Sequence, residues 1–178
     1  MSQPIVIVGL RCVGKSSVGR ALAGALKLPF VDLDEELAAR AGSGQSAGEL
    51  LEELGEPAFR ELEAAALEDC LTRGPLVLAT GGGVVEREES CARLRSGARV
   101  IWLDASSEAL LERRERDDTA RPLLSGGDPR EELSVLGPRR RPLYESLAGD
   151  PVDTTRREVE AIAEELAEGL RNEIDSGD

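Results

Sequence analysis

The stretch VGLRCVGKSS, residues 8–17, decides how this chain is read. An aliphatic run, Ile5 to Val8, leads into Gly9, and Gly14, Lys15 and Ser16 follow at a fixed distance. The spacing is G-x-x-x-x-G-K-[ST], that of a loop that cradles phosphate. The β-branched run between Pro4 and Gly9 reads as a buried parallel strand. From Lys15 on, Val18, Leu22, Ala25 and Leu26 recur at helical spacing. Between strand and helix the glycines permit a tight turn whose N–H groups point inward, and the helix start adds its dipole. The loop as a whole, Gly9, Arg11, Cys12, Val13, Gly14, Lys15, Ser16 and Ser17, is the expected nucleotide site. Lysine is a telling choice: of 22 cationic residues only Lys15 and Lys27 are lysines. A compact ammonium on a long stem suits an enclosed place between phosphates better than a broad guanidinium does. Ser16 offers a hydroxyl to Mg²⁺, an ion that takes few protein ligands. The competing reading, a glycine turn that spells the pattern by chance, is disfavoured by the flanking strand and helix. The motif does not distinguish ATP from GTP.

The rest of the composition narrows the field. With 178 residues, 40% of them hydrophobic, the chain suits one globular domain with a real core. The net charge of −13 argues against nucleic acid or an anionic membrane as partner. Residues 1–31 nevertheless carry four cations and no acid, an anion-binding end in an acidic protein. No stretch approaches the length of a membrane span. The N-terminus reads as the first strand rather than an export signal. Cys12, Cys70 and Cys91 are odd in number and lack metal spacing, which fits reduced thiols and a cytoplasmic location. There is no histidine, so any catalytic base is a carboxylate or water.

Further strands are expected at 29–34, 75–80, 98–104 and 151–154. Helices are expected over 35–73 (broken at 42–44 and again at Gly55 and Pro57), from about Ser106, over 129–147 and at the C-terminal end. Residues 116–127 read as a polar, glycine-ended loop. Strands alternating with helices predict an α/β three-layer sandwich with a five-stranded parallel sheet. At the end of the second strand, Asp32 and Asp34 stand two apart, which sends both carboxylates to one face if the strand continues through them. Asp34 is equally readable as a helix N-cap. Gly81, Gly82 and Gly83 end the third strand and invite close approach of a ligand, or form a tight turn.

The ordered set GLRCVGKSSVGR, FVDLDEEL, GEPAFRELE, ATGGGVV, RPLL and RRPLYES resembles the shikimate kinases, small kinases of the nucleoside-monophosphate-kinase fold. The resemblance covers nearly the whole chain. It implies one kinase domain over 1–178, with a helical substrate-binding insertion at about 33–61 and a lid at about 115–127. It implies ATP as co-substrate, Mg²⁺ as cofactor, shikimate as acceptor and a monomer. Lys15 and Ser16 would serve ATP and Mg²⁺, with Asp32 holding the metal through water. Asp34 would contact the shikimate hydroxyls, as a base or as an orienting acceptor. Arg60 and Arg140 would grip the carboxylate, Glu63 would hold Arg60, and Gly81–Gly83 would lie along the substrate. Arg121 would swing onto the phosphates from the lid, and Arg114 would lie near adenine. Bidentate arginines are the natural grip for a small carboxylate.

Some residues depart from the family pattern. Cys12 and Val13 replace small residues, Ser17 replaces threonine, and Leu51 stands where an aromatic often walls the pocket. These bear on affinity and acceptor identity more than on fold. The alternative is another small-molecule kinase with a sugar-acid or nucleoside-monophosphate acceptor. A GTPase-like switch is a different class, but a guanine-reading N-K-x-D is absent: the sole asparagine is Asn172.

Overall fold

The computed structural model describes residues 3–42, 44–116 and 128–175. The order is β1 (Ile5–Val8), α1 (Lys15–Leu26), β2 (Phe30–Asp32), α2 (Leu33–Ala41), α3 (Ala47–Thr72), β3 (Val77–Ala79), a 3-10 turn (Val84–Glu86), α4 (Glu88–Gly97), β4 (Arg99–Asp104), α5 (Ser107–Glu115), α6 (Pro129–Ala148), β5 (Val152–Asp153) and α7 (Val159–Asp175). The five strands form a parallel sheet in the order β2-β3-β1-β4-β5, flanked by the helices.

The apolar run of β1 has its reason here. Ile5, Val6, Ile7 and Val8 are fully buried, because β1 is the central strand with neighbours on both edges and helices over the sheet. Its register pairs Ile7 with Ala79 on one side and with Ile101 on the other. The chain builds β2 and β3 on one side of β1 and then crosses to β4 on the other, so the loop after β1 opens at the switch point of the sheet, where α/β folds bind ligands. α1 and α7 pack against each other, and α4 and α6 pack against β4.

Some boundaries differ from the sequence reading. β1 has the expected bounds, the other strands are shorter than expected, and β2 ends at Asp32. Asp32 then caps α2 through a bond from the Asp34 amide, at 3.0 Å, so Asp34 is a helical residue rather than the end of a strand or the cap itself. The helix α4 was not foreseen; its sequence EESCARLRSG is too polar to show a strong apolar stripe. The break expected at Gly55 and Pro57 is a kink within α3: Gly55 sits at φ 73°, ψ 160°, a conformation natural only to glycine. Pro57 follows where a new helical turn begins and its missing N–H costs nothing. Among the described residues, no helix is long and apolar enough to cross a membrane.

Candidate active site

The residues singled out in the sequence converge on one cleft of about 640 Å³ at the C-terminal end of the sheet. Its walls include Arg11 to Ser17, Asp32, Asp34, Arg60, Gly81 to Gly83, Arg114 and Arg140. Gly9 lies beneath the loop instead. A side chain there would meet the Leu103 carbonyl at 2.2 Å, and its φ of 145° independently calls for glycine. Arg121 and residues 117–127 of the expected lid lie outside the described residues.

The loop is built to receive an anion. The N-cap of α1, Gly14, offers no side chain and no acid stands in its first turn; α4 also lacks a side-chain cap but carries Glu88 and Glu89 there, and Asp32, Ser46, Ser106 and Asp128 cap α2, α3, α5 and α6. The first amides of α1 are thus left for a ligand. Lys15 crosses the loop, donating from Nζ to Gly9 O at 3.0 Å and Leu10 O at 2.8 Å. Cys12 adopts φ 63°, a left-handed conformation costly for any residue but glycine. Ser16 Oγ donates to Asp32 Oδ2 at 2.5 Å. A hydroxyl beside one carboxylate is a hard oxygen pair that fits Mg²⁺, which keeps most of its waters and binds substrate phosphates. Among the described residues no group of three or more acidic, cysteine or histidine side chains is placed to hold a metal.

The sequence reading missed a strut under the loop. Arg113 braces it: Nη1 lies 3.4 Å from the carbonyl oxygens of both Cys12 and Val13 and 3.0 Å from Thr154 Oγ1, and Nη2 donates to Thr154 O. Thr154 Oγ1 in turn donates to Val13 O at 2.9 Å. Arg114 also lines the cleft and pairs with Glu132 at 2.8 Å. The adjacent arginines carried no sequence signal to tell one role from the other.

Across the cleft, Gly81 and Gly83 make room for charged side chains, while a side chain at Gly82 would only touch one. A Cβ on Gly83 would meet Arg60 Nη2 at 2.1 Å; one on Gly81 would meet Glu63 Oε1 at 2.9 Å and Asp34 Oδ1 at 3.2 Å; one on Gly82 would meet Arg140 Nη1 at 3.4 Å. Arg60 pairs with Glu63 at 2.9 Å, as the sequence led one to expect. Burial alone would lower the pKa of Arg60, but Glu63, Glu86 and Glu56 raise it above its usual value. Burial pushes the Glu63 carboxyl up, and Arg60 pulls it back. Tyr144, wholly buried, donates to Gly82 O at 2.5 Å and so holds the glycine run from behind. Burial raises its hydroxyl far above the ordinary range, so it stays a donor.

The shikimate kinase sequence profile matches residues 11–171. The chain belongs to the shikimate kinase family. A shikimate kinase of Bordetella pertussis is 42% identical over 168 residues, covering 94% of this chain and 78% of that protein. One from Caulobacter vibrioides is 47% identical over 143 residues, covering 80% of this chain and 70% of that protein. Among solved structures, a shikimate kinase from Acinetobacter baumannii in complex with shikimate superposes with a TM-score of 0.88 at 32% identity, covering 96% of this chain and 94% of that one. A gluconokinase from Sinorhizobium meliloti shares the fold at a TM-score of 0.62 and 22% identity, covering 96% of this chain and 97% of that one.

Proposed function

We propose that this shikimate kinase transfers the γ-phosphoryl group of ATP to the 3-hydroxyl of shikimate, giving shikimate 3-phosphate and ADP and so feeding chorismate and aromatic amino-acid biosynthesis. The observation that carries the reading is one cleft with a phosphate loop on one wall and, on the other, buried Arg140 and half-buried Arg60 beside a triple glycine. Family membership supports it.

The roles of the residues follow from their chemistry. The loop amides and Lys15 bind the phosphates, and Lys15 offsets charge as the oxygen–phosphorus bond to ADP breaks. Arg114 flanks the adenine, and Arg121 completes the phosphate site from a lid at about 115–127. Ser16, and Asp32 through water, would hold Mg²⁺, which when bound supplies charge neutralisation at the phosphates. Arg60 and Arg140 take the acceptor's carboxylate, with Glu63 holding Arg60. Gly81–Gly83 line the acceptor. Asp34 takes the hydrogen bond of the attacking hydroxyl. Phosphoryl transfer needs positioning and electrostatic stabilisation more than covalent help, and this residue set supplies both. The protein works as one kinase unit over 1–178, with the acceptor segment at about 33–61, as a cytoplasmic monomer.

Two substitutions test the assignment. Lys15→Ala is expected to abolish turnover, and near-normal activity would remove the nucleotide site from the account. Arg140→Ala is expected to raise the KM for shikimate far more than that for ATP. The reverse pattern would mean that Arg140 serves the nucleotide.

A further inference from the structure

Glu86 ends the 3-10 turn that follows the triple glycine. Its side chain is only 7% exposed, yet three guanidinium groups converge on it. Oε2 lies 2.7 Å from Arg140 Nη2 and 3.4 Å from Arg60 Nη2, and Oε1 lies 2.8 Å from Arg139 Nε. Arg60 comes from α3 and Arg140 from α6, so the chain itself does not fix the distance between them. A single carboxylate oxygen, 3.4 Å from one Nη2 and 2.7 Å from the other, holds the two nitrogens no more than about 6 Å apart.

We propose that Glu86 is a positioning residue for acceptor recognition: its carboxylate sets the spacing and orientation of Arg60 and Arg140, so that both guanidinium groups meet one carboxylate of the acceptor. The proposal rests on the assignment of Arg60 and Arg140 to that carboxylate. Two arginines this close in a partly dry cleft repel each other, and an anion between them removes the repulsion. Arg60 has a second buried anchor in Glu63. Among the described residues, the carboxylate that pairs with Arg140 is Glu86, so Arg140 depends on it most. The Nε atoms of both arginines are buried without a hydrogen-bond partner. These unpaired buried donors leave the orientation of both guanidinium groups to their Nη contacts, of which Glu86 supplies one to each.

The test is steady-state kinetics of Glu86→Ala, Glu86→Gln and Glu86→Asp with shikimate and with its methyl ester, which lacks the carboxylate charge. In Glu86→Ala the KM for shikimate is expected to rise about tenfold or more, the loss of a charge-assisted contact, with the KM for ATP within about twofold. The preference for the acid over the ester, as a ratio of kcat/KM, is expected to fall by the same factor. Glu86→Asp should recover part of that preference. A general structural role would lower activity toward acid and ester equally, and that result overturns the proposal. A lowered KM for shikimate also overturns it, since Glu86 would then be a competitor for the arginines. Should Glu86→Ala fail to fold, the isosteric Glu86→Gln carries the same comparison. A wild-type protein that phosphorylates neither acid nor ester would refute the proposed function, an outcome distinct from equal losses in the variants.

Discussion

Gly83→Ala isolates the link between the triple glycine and the acceptor site. The backbone at Gly83 has φ −94°, ψ 0°, which alanine adopts without strain, so the whole effect comes from the added methyl group. That methyl would lie 2.1 Å from Arg60 Nη2 and 2.5 Å from Cζ, against about 3.4 Å for an ordinary contact. The guanidinium must therefore retreat by more than 1 Å. A movement of that size breaks the 2.9 Å bond to Glu63 and misaligns Arg60 toward a bound carboxylate. Losing one hydrogen bond to a charged group costs about 1.5–3 kcal/mol, which is about 10- to 150-fold in KM for shikimate. The KM for ATP is expected to stay within about twofold, because the phosphate loop lies on the other wall. The assay is initial-rate ADP release over a matrix of both substrates, with circular dichroism and Tm to confirm folding. A folded variant with unchanged KM for shikimate, or equal rises for both substrates, would refute the reasoning.

Other expectations follow from the same structure. Cys12→Gly removes a left-handed non-glycine residue: relief of about 1–2 kcal/mol, offset by about 0.5–1 kcal/mol of glycine's chain entropy, should raise Tm by about 2 °C. A lower Tm in calorimetry would show that no strain is stored there. Arg113→Ala removes the strut between the loop carbonyls and Thr154, and should raise the KM for ATP several-fold while costing about 1–3 kcal/mol of stability; an unchanged KM for ATP would count against the strut. The Glu36 carboxyl is held below its ordinary range by Arg73 and then Arg40. A depressed folded pKa stabilises above the unfolded value of about 4.5 and is lost as pH falls through the folded one. Both arginines are partly exposed, so Glu36→Gln should lower Tm by only about 1–3 °C at pH 7. The gap between variant and wild type should narrow as pH falls below about 4.5 and through the lowered folded pKa. A gap that stays constant from pH 7 down to full protonation of Glu36 would point to packing rather than charge.

Much of this protein was legible from its chain. The G-x-x-x-x-G-K-S spacing after a buried aliphatic run located both the central strand and the anion loop, because backbone geometry there tolerates few alternatives. Arg60, Glu63 and Arg140 were named through family motifs, and the structure brings all three to one cleft. What escaped has physical reasons. Asp34 was readable either as the end of a strand or as a helix N-cap, because a period of two and a helix start agree over so few residues. Glu86 carried no sign of its place, since a turn after three glycines gives no periodicity to read and its partners lie on α3 and α6. Arg113 and Arg114 differ by one position, and only the direction of each side chain from α5 separates a loop strut from a partner of Glu132. Tyr144 supports Gly82 across 62 residues of sequence, a contact that only the fold creates.

The most direct test of the central claim is ADP release from MgATP with and without shikimate, beside gluconate, quinate and nucleoside monophosphates. The account predicts a large rate increase with shikimate and little with the others. Silence toward shikimate, with a response to another acceptor, would contradict it and mean that the pocket wall at Ala47, Gly48 and Leu51 serves a different substrate on the same kinase frame.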